Sequence, residues 1–114
     1  MRIDRTDENG VVVVALGGVI KLGESGRVFS EYLDRLLRED APAVLLDMRG
    51  IDSVDSTGLG ELVGYLQRFS EQGRSLALLD PPSRVMNLLR LTKLDEVFTI
   101  YRDRETAVRE LGTA

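Results

Sequence analysis

Six consecutive apolar residues, Val11-Val12-Val13-Val14-Ala15-Leu16, leave this chain few ways to fold. β-Branched side chains lose rotamer freedom in a helix and pack well on a pleated surface, so the run reads as a strand. It shows no polar alternation, and a strand without a solvent-facing side must be covered on both faces. Ala43-Val44-Leu45-Leu46-Asp47-Met48 and Ser75-Leu76-Ala77-Leu78-Leu79 repeat the pattern. Amphipathic segments lie between these runs. Residues 25–39 bring Phe29, Tyr32, Leu33, Leu36 and Leu37 to one helical face, and residues 56–72 do the same with Leu59, Leu62, Val63, Leu66 and Phe69. A third helix is expected from Pro82 to Arg90, because proline is tolerated in a first turn. A strand over 97–101 follows, then a last helix capped by Asp103 with Ala107, Val108 and Leu111 inward. At the other end, residues 1–5 should pair with the valine run across the turn-like Asp7-Glu8-Asn9-Gly10, and Gly17-Gly18 should end that run.

Buried strands alternating with helices over short connections imply βαβ crossovers. The expected fold is therefore α/β, with a mixed and mostly parallel sheet of about five strands and about four helices packed mainly on one face. The 114 residues show no repeat, linker or low-complexity stretch, so a single domain over 1–114 is expected.

Composition narrows the chemistry. Cysteine and histidine are both absent, which removes disulfides, thiolate nucleophiles, the usual near-neutral general base and the commonest metal ligand. A formal charge of −4 disfavours nucleic acid, whose phosphates call for a cationic face. No charged-then-apolar leader is present, and no apolar run is long enough to span a bilayer, so a cytoplasmic protein without a membrane span is expected. Nothing points to an enzyme, a cofactor or a metal site.

The informative stretch is Asp47 to Gly64. Asp47 sits near the end of a hydrophobic strand, where α/β sheets tend to place their functional crevice. Asp52 and Asp55 follow in an expected loop, and Ser56 stands where an N-cap belongs, its oxygen available to the unpaired N–H groups of the first turn. Gly58, Gly60 and Gly64 fall inside the predicted helix, where each costs about 0.8–1 kcal/mol relative to alanine. Close approach of another helix or backbone is the simplest reason for three glycines within seven residues, with tight packing against the sheet as the alternative at Gly60 and Gly64.

Asp55-Ser56-Thr57-Gly58-Leu59-Gly60, eight residues after Asp47, resembles the D-S-[ST]-G-[LM]-G signature of the STAS family. The order of elements is similar along nearly the whole chain, including the Leu91–Phe98 segment before the last strand. The resemblance is to the anti-sigma factor antagonists of that family. It implies that Ser56 is phosphorylated by a serine protein kinase that doubles as the anti-sigma factor, and that phosphorylation switches binding off and so withholds a sigma factor. A PP2C-type phosphatase would reverse the modification. The partner surface carried over from the family comprises Lys21, Glu24, Asp47, Asp55, Ser56, Thr57, Gly58 and Gly60, and a weak homodimer is left open. One departure stands out. Where the family often carries Gly-x-[Leu/Ile]-Asp, this chain reads Gly18-Val19-Ile20-Lys21, with Glu24 as the nearest replacement carboxylate.

Other assignments compete with this one. The same fold serves as a docking subunit in stressosome-like or lipid-transport ATPase assemblies, which is the alternative function. Gly58-x-Gly60-x-x-x-Gly64 is one residue off the dinucleotide fingerprint and begins well after its strand. Asp47, Asp52 and Asp55 together could hold Mg²⁺, although a solvated acidic loop beside a helix N-terminus accounts for them as well.

Overall fold

The computed structural model describes residues 1–112. In chain order the elements are β1 (Arg2–Glu8), β2 (Val11–Ile20), α1 (Glu24–Arg38), β3 (Ala43–Val54), α2 (Ser56–Glu71), β4 (Ser75–Leu79), α3 (Ser83–Leu91), a short 3₁₀ turn (Leu94–Glu96), β5 (Ile100–Tyr101) and α4 (Arg104–Leu111). The five strands form one sheet in the order β1-β2-β3-β4-β5. β1 runs antiparallel to β2, and every later pair is parallel.

Both faces of the sheet are covered, which explains the unalternating strands. Val12, Val14 and Leu16 of β2, Val44, Leu46 and Met48 of β3, and Leu76 and Leu78 of β4 pack with Phe29, Leu33 and Leu36 of α1, with Leu62, Tyr65 and Phe69 of α2, and with Val85 and Leu89 of α3. The intervening residues Val11, Val13, Ala43, Leu45, Ala77 and Leu79 form a smaller cluster under Ala107 and Val108 of α4. Three helices thus lie on one face and one on the other, in agreement with the pattern read from the sequence.

The helix ends differ from expectation by a residue, and four larger differences each have a physical reason. The first hairpin turns on Asn9-Gly10 alone, both with positive φ, so Asp7 and Glu8 belong to the strand. A two-residue Asn-Gly turn matches the strand twist better than a longer connection. Gly17-Gly18 does not end β2. The register with β3 shifts between Ala15 and Gly17 and again between Gly18 and Val19, and the strand continues through these irregularities to Ile20. β3 likewise runs past Met48 to Val54, where Val54 pairs with Ile20. At the far edge, only Ile100 and Tyr101 pair with β4 because the 3₁₀ turn takes up the chain before them, and Thr99 contributes just its carbonyl, which accepts the Leu78 N–H at 3.0 Å.

The long β2–β3 ladder positions the site. It carries both strands past the glycine irregularities, with Ile20, Ile51 and Val54 still buried in the core, and delivers Asp55 beside Ile20, with the Asp55 N–H donating to the Ile20 carbonyl at 3.3 Å. α1 is locked against α2 by Tyr65. Its hydroxyl lies 2.8 Å from the Ser30 carbonyl and 2.7 Å from the Asp34 carboxylate, and its ring meets Phe29 edge-on.

Candidate functional site

α2 starts one residue earlier than a serine cap would place it. Asp55, in extended conformation, is the N-cap, and its Oδ1 accepts the Gly58 N–H at 2.8 Å. Ser56 is the first helical residue, exposed, and its hydroxyl is bonded to no group among the described residues. Aspartate and serine cap helices about equally well, so the choice falls to the surroundings. The Asp55 carboxylate has a second donor within reach, because its Oδ2 accepts the Leu22 N–H at 3.0 Å. One side chain thereby joins the loop after β2 to the mouth of α2.

That double duty has an electrostatic signature. The N–H groups of Gly58 and Leu22, with help from Thr57 and the charge of Lys21, hold the Asp55 carboxyl below the ordinary aspartate range. Glu24 takes no part. It opens α1, exposed, and its carboxylate is bonded to no group among the described residues. The link between this loop and the mouth of α2 is made by Asp55.

The glycines divide sharply. A Cβ on Gly58 would lie 2.1 Å from the Ile20 carbonyl oxygen, so only glycine lets α2 begin this close to β2. Gly60 has nothing within 4 Å of such a Cβ, and Gly64 only a terminal nitrogen of Arg68 at 4.0 Å. The close approach expected of the three glycines is therefore found at Gly58 and not at Gly60 or Gly64. Gly60 and Gly64 line an open groove of about 390 Å³ with Ser56, Leu59, Val63, Gln67, Thr92 and Leu94. Thr57 faces the other way, into a hollow of about 240 Å³ shared with Lys21, Leu22, Gly23, Gly26, Arg27, Ser30, Glu31 and Glu61. The two hydroxyls at the helix mouth open onto different surfaces.

Asp47 is not part of this mouth. Strand alternation puts it on the same side as Ala43 and Leu45, the face covered by α4, whereas α2 lies on the opposite face. It is buried, and that burial pushes its carboxyl up. Bonds from Arg49, two from the guanidinium at 3.0 and 2.8 Å and one from the N–H at 3.1 Å, more than offset the push and bring it below the ordinary range, with Arg104 adding to the effect. Asp52 is exposed within β3, not in a loop. The three aspartates thus sit in three different settings. No group of three or more carboxylates among the described residues is placed to share a metal ion.

Of the expected surface, the structure brings together Lys21, Asp55, Ser56, Thr57, Gly58 and Gly60, and separates Asp47 from them. Leu22 was not singled out as a site residue. Its signal in the sequence is a lone leucine between Lys21 and Gly23, outside every periodic pattern.

The profile of the STAS domain matches residues 2–107. The Anti-sigma F factor antagonist of Paenibacillus polymyxa is 25% identical over 111 residues, covering 97% of this chain and 95% of that protein. Among solved structures, a Thermotoga maritima protein provisionally assigned as an anti-sigma factor antagonist superposes with a TM-score of 0.88 at 26% identity, covering 96% of this chain and 93% of the other. The Bacillus cell fate determinant SpoIIAA, in its phosphorylated form, gives a TM-score of 0.72 at 14% identity over 95% of this chain and 98% of its own, a likeness of fold. No helix among the described residues is long and apolar enough to cross a membrane. With its sheet order, its capped Asp55-Ser56 helix mouth and a family match over nearly its full length, this chain belongs to the STAS domain family.

Proposed function

We propose that the chain is an anti-sigma factor antagonist: unphosphorylated, it binds an anti-sigma factor that is also a serine kinase, and phosphorylation of Ser56 by that kinase switches binding off. One observation carries the reading. Ser56 is exposed at the first position of a helix whose cap is supplied by its neighbour, so its hydroxyl is free to react and its modification breaks no internal bond. The names of relatives such as the Paenibacillus polymyxa protein support the assignment. A PP2C-type phosphatase would reset the switch, and the protein would work in the cytoplasm as one domain without catalysis of its own.

The partner surface in this reading runs across the mouth of α2. It comprises Ser56, Gly60 and their groove on one side, Thr57 and the Lys21–Glu24 loop on the other, and Asp55 and Gly58 as the frame that holds both. Asp47 is omitted because it lies on the other face of the sheet. Isothermal titration of the anti-sigma kinase with phosphorylated and unphosphorylated protein tests the proposal. The unphosphorylated form is expected to bind more tightly, and Ser56→Ala to bind but resist switching. Equal affinities would sink the switch. Tighter binding by the phosphorylated form would favour the docking-subunit alternative, for which Lys21 near the helix mouth is the one structural argument.

A further inference from the structure

Leu22 is a large apolar side chain left 79% exposed at the apex of a loop that is otherwise closely built. Its own N–H is held by Asp55 at 3.0 Å, the Lys21 N–H by Ser25 Oγ at 3.1 Å, and the Arg27 N–H by the Gly23 carbonyl at 3.1 Å. A Cβ on Gly26 would lie 2.5 Å from the Lys21 carbonyl oxygen, so α1 passes directly under the loop. Single exposed leucines are ordinary on protein surfaces, and Leu91 is as exposed as Leu22. Leu22 differs in how it is held. Its peptide is fixed by the same carboxylate that caps the Ser56 helix, so burying its side chain on a partner needs little further ordering of the loop.

The surrounding charge indicates what the partner must offer. Glu61 is engaged by the Ser30 hydroxyl at 2.6 Å, and Arg27 and Glu31 stand one helical turn apart on α1 with opposite charges. Lys21, adjacent to Leu22 and exposed, forms no salt bridge among the described residues, although its charge reaches Asp55. We propose that Leu22 is the apolar anchor of the partner interface, seated in an apolar hollow of the anti-sigma partner that is edged by a carboxylate facing Lys21. The inference rests on the functional reading above and adds the residue that supplies the contact and the chemistry that receives it.

The test is isothermal titration of each anti-sigma-factor kinase of the source genome, purified, at low and high salt, with wild type, Leu22→Asn and Lys21→Met. Leu22→Asn is expected to weaken binding on the order of ten- to a hundred-fold at both salt concentrations, as loss of a buried leucine does. Its thermal midpoint should match wild type, because the side chain packs against little within the chain. Lys21→Met should weaken binding at low salt, with an effect that fades at high salt as screening shortens the reach of the charge. Wild type that binds while Leu22→Asn binds within about two-fold of it overturns the anchor and leaves the functional reading standing. Wild type that binds none of the kinases overturns that reading and the anchor with it.

Discussion

A methyl group at Gly58 would be forced to within 2.1 Å of a backbone oxygen, whereas one at Gly60 would meet open space. The two positions therefore respond oppositely to the same change. Gly58→Ala should lose on the order of 1–3 kcal/mol, since α2 must back away from Ile20. Gly60→Ala should gain about 0.5–1 kcal/mol by lowering the entropy lost on helix formation. Urea denaturation of the two variants checks the pair. Gly60→Leu extends the argument to binding: the groove has room for the side chain, so stability should hold while partner affinity falls. A parallel fall in both would make Gly60 a packing residue after all. Asp55 offers a test by pH. Its folded-state carboxyl is held low, so the stability it contributes is present above the unfolded aspartate pKa and is lost as pH falls through the lower folded value. In an NMR titration the Gly58 and Leu22 amide signals should move together, with a midpoint below the ordinary aspartate value of about 3.9. Asp55→Asn should abolish that movement. The sequence made the cap ambiguous by a single residue because Asp55 and Ser56 are equally good cap formers. Only the contact with Leu22, 33 residues away, decides between them.

At the scale of elements, Arg74 shows how a surface-typical residue becomes structural. It precedes β4 and reaches back to the end of α1. Its guanidinium donates to the carbonyls of Leu36, Leu37 and Ala41, each at 2.9 Å, and stacks over the Phe69 ring at 4.6 Å. A cation suits a helix C-terminus, and a planar fork can serve several carbonyls where a lysine ammonium cannot reach them together. Arg74→Ala is expected to cost about 1.5–3 kcal/mol, the worth of hydrogen bonds to a charged group, and Arg74→Lys to recover less than half of it, as read from chemical denaturation. Nothing in the sequence around Arg74 announces this role, because its partners are set by tertiary packing. The strands were legible for the opposite reason. Val11–Val14, Ala43–Met48 and Leu76–Leu79 are buried on both faces, and burial writes itself into composition. At Gly17-Gly18 and Arg49-Gly50, glycine and charge break the apolar pattern and imitate a loop, while the backbone ladder continues to Ile20 and Val54. The face assignment of Asp47 was hidden by the same effect, since a strand read as ending at Met48 places its neighbours in a loop that does not exist.

For the molecule as a whole, the question is whether a phosphate at Ser56 acts inside the fold or on the partner. The hydroxyl is exposed and bonded to no group among the described residues, and the cap of α2 belongs to Asp55, so modification removes no hydrogen bond seen there. A dianion at a helix N-terminus gains about 0.3–1 kcal/mol from the helix dipole, which offsets repulsion from Asp55. Ser56→Asp should accordingly keep its far-UV circular dichroism and a thermal midpoint near that of wild type. A collapse of the transition would mean that the switch works by unfolding. With the fold unchanged, the proposed switch would act at the interface, by charge or by steric exclusion. A phosphoserine adds about −1.5 to −2 charges. A partner carboxylate brought to roughly 8 Å would then be repelled by about 1–4 kcal/mol for an effective dielectric between ~80 and ~20, which is on the order of five- to a thousand-fold in affinity. Asp47, turned to the other face and neutralised by Arg49, adds nothing to that repulsion. Lys21 opposes it, because its charge already bears on Asp55, the residue directly before Ser56. Under the proposed switch, Lys21→Asp should therefore deepen the loss of affinity expected on phosphorylation, and raising salt should shrink the difference between the two forms. Titrations of phosphorylated and unphosphorylated Lys21→Asp against wild type read the effect directly. An unchanged ratio between forms would remove Lys21 from the switch and leave steric exclusion at the Ser56 groove as its cause.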